Sequence, residues 1–248
     1  MYKLCAIIPV FNHGATVAQV VERVRAHGMD VLLVDDGSEP GCAALLDEVA
    51  RTPGISLLRR EQNGGKGAAV LDGLRHAARR NYSHALQIDA DGQHALRDIP
   101  LFVDMSRKNP DALIGGNPVY GDDAPRARLY GRWLTRIWVW INTLSRDIPD
   151  AMCGFRIYPL AGVLPIIDRT AIAQRMDFDI DIIVHLHWQG VPMLWLPTEV
   201  SYPADGISHF RAVQDNALIS RTHARLFFGM LIRLPGLLAQ RFSRKALG

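Results

Sequence analysis

DVLLVDDGS occupies residues 30–38. The four apolar residues 31–34 leave no alternation, so both faces of this segment are expected inside the protein. A strand buried on both faces belongs to a parallel sheet covered by helices on either side. The run stops at Asp35, Asp36 and Gly37, the residue types that open turns and cap helices.

The same grammar extends in both directions. KLCAIIPV (3–10), ISLLRR (55–60), SHALQID (83–89) and DALIGG (111–116) read as further strands. Between them TVAQVVERVRAHG (16–28), AALLDEVART (43–52), KGAAVLDGLRHAARR (66–80) and RDIPLFVDMSRK (97–108) read as helices. Strand and helix alternating at this pitch predict an α/β fold with a mostly parallel mixed sheet between helices, Rossmann-like in its first half. Beyond it the pattern predicts a helix over 126–146, a strand over 153–160, a helix over 178–190 and a strand over 191–202. PADGISHF (203–210) is expected to be a mobile loop, and the tail 223–245 a pair of basic amphipathic helices. One unit over 1–210, with halves 1–116 and 117–210, and a tail 211–248 are expected.

At 248 residues and 48% hydrophobic, the chain has material for one large core. A net charge of +3 gives no reason to expect nucleic acid. The basic residues are uneven, however: 221–248 hold five arginines and a lysine and no acid. Three scattered cysteines, Cys5, Cys42 and Cys153, read as reduced thiols of a cytoplasmic protein. The first apolar run stops at Pro9, so no secretory leader is expected. No stretch reaches the roughly 18 apolar residues of a membrane span.

In an open α/β sheet, ligands bind beyond the carboxyl ends of the strands. LQIDADGQH (86–94) places Asp89 and Asp91 there. Were both extended, they would share one face, roughly 6.6 Å apart along the strand. Two nearby carboxylates repel unless a cation intervenes, and Mg²⁺ or Mn²⁺ prefers such oxygen ligands. Gln93 would add an amide oxygen or orient a water. A solvated acidic turn is the plainer alternative. Asp35 and Asp36 would accept hydrogen bonds from a base or a ribose, or serve only the turn. NGGKG (63–67), opening a helix with Lys66, would suit phosphate or a base edge; its spacing is not that of a P-loop.

IIPVFN (7–12), VDDGS (34–38), NGGKGAA (63–69), DADGQH (89–94) and CGFR (153–156) together resemble family-2 glycosyltransferases of the GT-A fold, nearest the dolichyl-phosphate mannose synthases and polyprenyl-phosphate glycosyltransferases. The resemblance spans roughly residues 4–210. It implies inverting, divalent-metal-assisted transfer from a nucleotide-diphosphate sugar to a lipid-type acceptor. Carried over by position, Pro9, Phe11 and Asn12 line the nucleotide, Asp35 and Asp36 hold base or ribose, and Lys66 and Gly67 close that pocket. Asp89 faces the nucleoside, while Asp91 and Gln93 belong to the metal, with Asp89 sharing it. Asp150 and Arg156 match the family's acid and Gly-Phe-Arg.

Departures fall on the acceptor side. His13 follows Asn12 where an acid or Asn is usual. Gly115, Gly116 and Asn117 replace a Gly-Ser-Arg, leaving Arg126, Arg128 or Arg132 to grip an acceptor phosphate. Gly206, Ile207, Ser208 and His209 replace Gly-x-Ser-Lys.

A phosphate acceptor needs no base, whereas a hydroxyl acceptor does. Asp150 is the first candidate base, with Asp179 and Asp181 behind it; a turn acid paired with Arg156 is the alternative for Asp150. The tail would lie on anionic lipid at the inner face of the cytoplasmic membrane, joined by Trp133, Trp138 and Trp140, or would pack on the domain or a second subunit. Rival functions are transfer to a hydroxyl on a non-phosphate lipid or soluble glycan, and nucleotide-sugar binding without turnover.

Overall fold

The computed structural model describes residues 1–121, 126–201 and 211–246, without side chains for 127, 128, 212 and 240–246. The loop expected at 203–210, with Gly206 to His209, lies outside the described residues, as does the side chain of Arg128.

The chain begins β1 (Leu4–Val10), α1 (Gly14–Arg25), β2 (Asp30–Asp35), α2 (Pro40–Val49), β3 (Ile55–Arg59), α3 (Lys66–Arg79) and β4 (His84–Gln87). A 3₁₀ turn, Leu96–Asp98, leads into α4 (Ile99–Lys108) and β5 (Leu113–Tyr120). Then come α5 (Arg126–Thr143), β6 (Arg156–Pro159), α6 (Leu160–Arg169), α7 (Phe178–Trp188), β7 (Met193–Val200) and α8 (Ala212–Ala246).

One seven-stranded sheet has the order β3-β2-β1-β4-β6-β5-β7. All its pairings are parallel except those of β6, which runs against both β4 and β5. The mostly parallel mixed sheet expected from the alternation is present. Residue 116, the expected boundary between halves, falls inside β5, and one sheet crosses both halves.

The period of two within each strand sorts side chains into two cores. Ala6, Ile8, Val10, Val31 and Leu33 pack on one face with apolar residues of α1 and α4. Cys5, Ile7, Leu32 and Val34 pack on the other with α3, α6 and α7. Gly73 permits the close approach of α3 to β1, since a Cβ there would lie 2.6 Å from Ile7 Cγ2.

Two expectations need correcting, and one element is new. The tail is one helix, α8, continuing through Pro235, rather than a pair. Its residues Ile219, Leu226, Met230 and Leu237 are buried, and their steps of seven and four residues form one helical stripe that seats it on the domain. Helix α6 fills a stretch to which the sequence reading assigned no element, and it continues through Pro165. And β4 ends at Gln87, two residues before Asp89.

Cys5 and Cys153 are buried, and desolvation pushes each thiol up to about 12. Only the partly buried Cys42 is therefore expected to react with an aromatic disulfide reagent at about pH 8, since the thiolate is the nucleophile. Titration should count one fast thiol in native protein and all three after denaturation.

Candidate active site

The polar residues gather where β1, β2 and β4 end, where the reversed β6 begins, and at the N-termini of α3 and α7. Each arrives there for a local reason. Asn12 leaves β1 in a left-handed conformation, φ 55°, its N–H donating to Ser38 Oγ at 3.1 Å while its Oδ1 accepts from Glu39 N at 2.8 Å. The PVFN segment is thus tied to the VDDGS turn, with Pro9 and Phe11 partly buried beside it.

Asp35 and Asp36 face inward. Asp35 is 0% exposed and accepts from Ser38 N at 2.9 Å and from Arg59 Nε at 2.8 Å. Asp36, 2% exposed, accepts from Gly64 N at 2.9 Å and Gly65 N at 2.7 Å and pairs with Arg60 Nε at 2.9 Å. Burial pushes the Asp36 carboxyl up, opposed by those two N–H groups and by Arg60. Asp36 therefore clamps the NGGKG loop, and Asp35 anchors the turn. The loop is held from its other side too: Ala68 N donates to Gln174 O at 2.9 Å, and a Cβ on Gly67 would strike Phe178 Cβ at 2.5 Å.

Lys66, the first residue of α3, sits between two carboxylates. Its Nζ lies 2.8 Å from Asp89 Oδ1 and 2.8 Å from Asp179 Oδ2. Burial works against the ammonium, but the Asp179 and Asp89 charges outweigh it and hold it protonated beyond its usual range. Burial likewise raises Asp89, and Lys66 with His94 overcomes this, keeping the carboxylate well below its ordinary value. His94 Nε2 stands 3.3 Å from Asp89 Oδ2, its ring stacked on Phe155 with centroids 5.4 Å apart.

Asp91 differs from Asp89. It lies in a turn before Gly92, φ 73°, is partly exposed, and accepts from Gln93 N at 3.1 Å. The expectation that the two acids share a strand face does not hold, because both lie past the end of β4. The Gln93 carbonyl accepts from Ser201 N at 3.2 Å, which fastens this turn to the end of β7.

Arg156 is 0% exposed. It donates to Asp179 O at 3.0 Å and Ala151 O at 2.8 Å, and lies 3.5 Å from Asp179 Oδ1. It supports the site from beneath, with no exposed surface. Asp150 pairs with Arg132 rather than Arg156: Arg132 Nε and Nη2 reach its two oxygens at 3.1 and 3.0 Å. Met152 N and Cys153 N also donate to Asp150 Oδ1, both at 2.8 Å. Burial opposes the Arg132 charge, yet Asp150 more than compensates and raises it.

Residues 5–170 match the sequence family Glycosyl transferase family 2. The chain belongs to glycosyltransferase family 2. As such it is a glycosyltransferase, and the polar cluster at the strand ends is its candidate active site. Among its relatives is a polyprenol monophosphomannose synthase of Mycolicibacterium smegmatis, 31% identical over 207 residues, covering 76% of this chain and 72% of that one. Another is an undecaprenyl-phosphate mannosyltransferase of Micrococcus luteus, 29% identical over 187 residues and covering 73% and 76%. The fold is GT-A, shared with the glucosyl-3-phosphoglycerate synthase of Mycobacterium tuberculosis solved with Mn²⁺, uridine diphosphate and phosphoglyceric acid. That comparison has a TM-score of 0.68 at 13% identity, covering 92% of this chain and 78% of that one.

Of the residues singled out in the sequence, Lys66, Asp89 and Asp91 meet at this end of the sheet, with Asp150, Arg132 and Arg156 on its β6 side. His94, Arg59 and Arg60 were missed. The parallel register that sets Asp35 beside Arg59 would have revealed one of them, but it exists only once the strand order is known.

Proposed function

We propose that this family-2 glycosyltransferase moves a sugar, with inversion and with help from Mg²⁺ or Mn²⁺, from a nucleotide-diphosphate sugar to a lipid-borne phosphate such as a polyprenyl phosphate. The observation that carries the acceptor class is Asp150. Both its oxygens are taken by Arg132 and two backbone N–H groups, so the foremost base candidate is not free to deprotonate a hydroxyl. An anionic phosphate needs no base, only cations to place it. The two mannosyltransferase relatives carry lipid phosphates in their names, which supports the same choice.

The donor set suits a hard divalent ion. Asp91 offers carboxylate oxygen at the partly exposed rim, and such ions are held by one or two carboxylates plus waters and substrate phosphates. Among the described residues no three or more of His, Cys, Asp or Glu are placed to hold a metal ion together, so Asp91, with Gln93 and Asp89 nearby, would share the ion with phosphate oxygens. When bound, the ion would neutralise charge on the departing diphosphate. The protein's own part is positional. Asp36 shapes the NGGKG loop, Lys66 fixes Asp89, and Asp150 aims the Arg132 guanidinium toward an anionic head group.

We place the enzyme at a membrane surface, on its cytoplasmic side. Among the described residues no helix is long and apolar enough to cross a membrane. Yet Trp133, Leu134 and Trp138 of α5 and Phe228, Ile232 and Leu238 of α8 are exposed, and those helices pack together. An exposed apolar surface of this kind, with the exposed Arg221 on the same helix, suits a lipid interface.

The test is transfer from labelled UDP- and GDP-sugars to polyprenyl phosphate in anionic vesicles, with Mn²⁺ or EDTA. Organic-extractable product only with the phosphate-bearing acceptor is expected; transfer to free polyprenol or soluble glycans instead would overturn the proposal. Arg132→Gln should raise KM for the acceptor by roughly 10–100-fold, the effect of one charged hydrogen bond of about 1.5–3 kcal/mol.

A further inference from the structure

The Lys66 bridge is costly for a helix to carry. A cation at the first residue of α3 opposes the helix dipole, which favours anions there. Something must hold it, and two carboxylates do so from different elements: Asp89 after β4 and Asp179 in the first turn of α7.

Asp179 is itself fixed on every side. Gln87 Nε2 donates to its Oδ1 at 3.3 Å, and Gln87 Oε1 in turn accepts from Tyr158 OH at 2.9 Å. Arg156 holds its carbonyl and lies beside its carboxylate. Gly154 closes the bridge from above, since a Cβ there would lie 2.7 Å from Asp89 Oδ2 and 2.8 Å from Lys66 Nζ. Two anions and two cations therefore balance in one locked array. Asp91 stands outside it, accepting from Gln93 N.

We infer that Asp179 is a positioning residue that makes Lys66 the standing counter-ion of Asp89. Resting on the donor-site reading above, this means that Asp89 turns its charge inward and the nucleotide-free enzyme holds a divalent ion weakly. The ion binds firmly only together with a diphosphate, whose oxygens complete the set begun by Asp91. Removing the Asp179 charge leaves Lys66 partly uncompensated. It then repels the cation while attracting the diphosphate, so the two affinities move in opposite directions. Mere loosening of the site would weaken both.

The experiment measures binding of Mn²⁺ alone, of Mn²⁺ with saturating UDP or GDP, and of the nucleoside diphosphate in EDTA. Asp179→Asn keeps shape and removes charge. In the presence of nucleotide it is expected to weaken Mn²⁺ binding by roughly 10–100-fold, the usual effect of losing an outer-sphere partner, and to tighten nucleotide binding in EDTA. Lys66→Met is the independent arm and decides the matter should Asp179→Asn fail to fold. With the counter-ion gone, the Asp89 carboxylate is free to join Asp91 as a second hard oxygen ligand, and Mn²⁺ affinity of the nucleotide-free protein should rise by about tenfold. Asp179→Asn affinities that fall together, or a Lys66→Met protein whose Mn²⁺ affinity is unchanged, overturn the inference while leaving the donor site standing. Wild-type protein that binds neither nucleoside diphosphate overturns the donor-site reading and the inference with it.

Discussion

Asp91→Asn is expected to lower sugar transfer by about three orders of magnitude, because charge stabilisation by a divalent ion is worth several kcal/mol and each ~1.4 kcal/mol is tenfold in rate. The fold should barely notice. Asp91 is partly exposed and its hydrogen bond from Gln93 N is local. Substitutions of that kind usually stay within about 0.5 kcal/mol. The measurement pairs single-turnover transfer with urea unfolding: a collapsed rate at an unmoved midpoint is the expected signature. A rate within tenfold of wild type would show that the acid of this turn does not serve the departing diphosphate. Asp89→Asn makes a useful contrast, since it strips Lys66 of one of its two carboxylates and should disturb stability as well.

The second large effect lies beneath the site. Arg156→Met is expected to cost about 3–5 kcal/mol of folding stability, the range seen when one partner of a buried ion pair is removed. Its guanidinium is 0% exposed and holds two carbonyls and the Asp179 carboxylate. Methionine fills the volume but removes the charged donor from both carbonyls and leaves the Asp179 carboxylate to Lys66 and Gln87 alone. Since domains are stable by only about 5–15 kcal/mol, the loss should be plain in the urea midpoint. Arg132→Gln, at the partly exposed acceptor side, should by contrast alter KM with a much smaller change in that midpoint. Equal stability losses for the two arginines would mean that Arg156 is not the support described above.

How much of this could be read in the sequence depended on whether the deciding interaction was local. The continuous run at 31–34 announced a doubly buried strand, and the polar residues that follow such strands marked the right end of the sheet. The reversed direction of β6 could not be read, because CGFRIYPL has the same apolar character whichever way it runs. Helix α6 carries Pro165 in its interior, a local cost outweighed by burial of Leu160, Val163 and Ile167, which depends on the packed fold. The pairing of Asp150 with Arg132 rather than Arg156 spans 18 residues and depends on where α5 lies. The spacing of Asp89 and Asp91 drew attention correctly, but the reason behind it failed: a turn, not an extended strand, separates their roles.

The lone antiparallel strand has a consequence for motion. Because β6 is stitched between β4 and β5, backbone hydrogen bonds run without interruption across the sheet from β3 to β7. The two sides cannot part like jaws about a linker. Admitting a sugar nucleotide and letting go of the spent diphosphate must therefore fall to the turns and helix ends above an unbending floor.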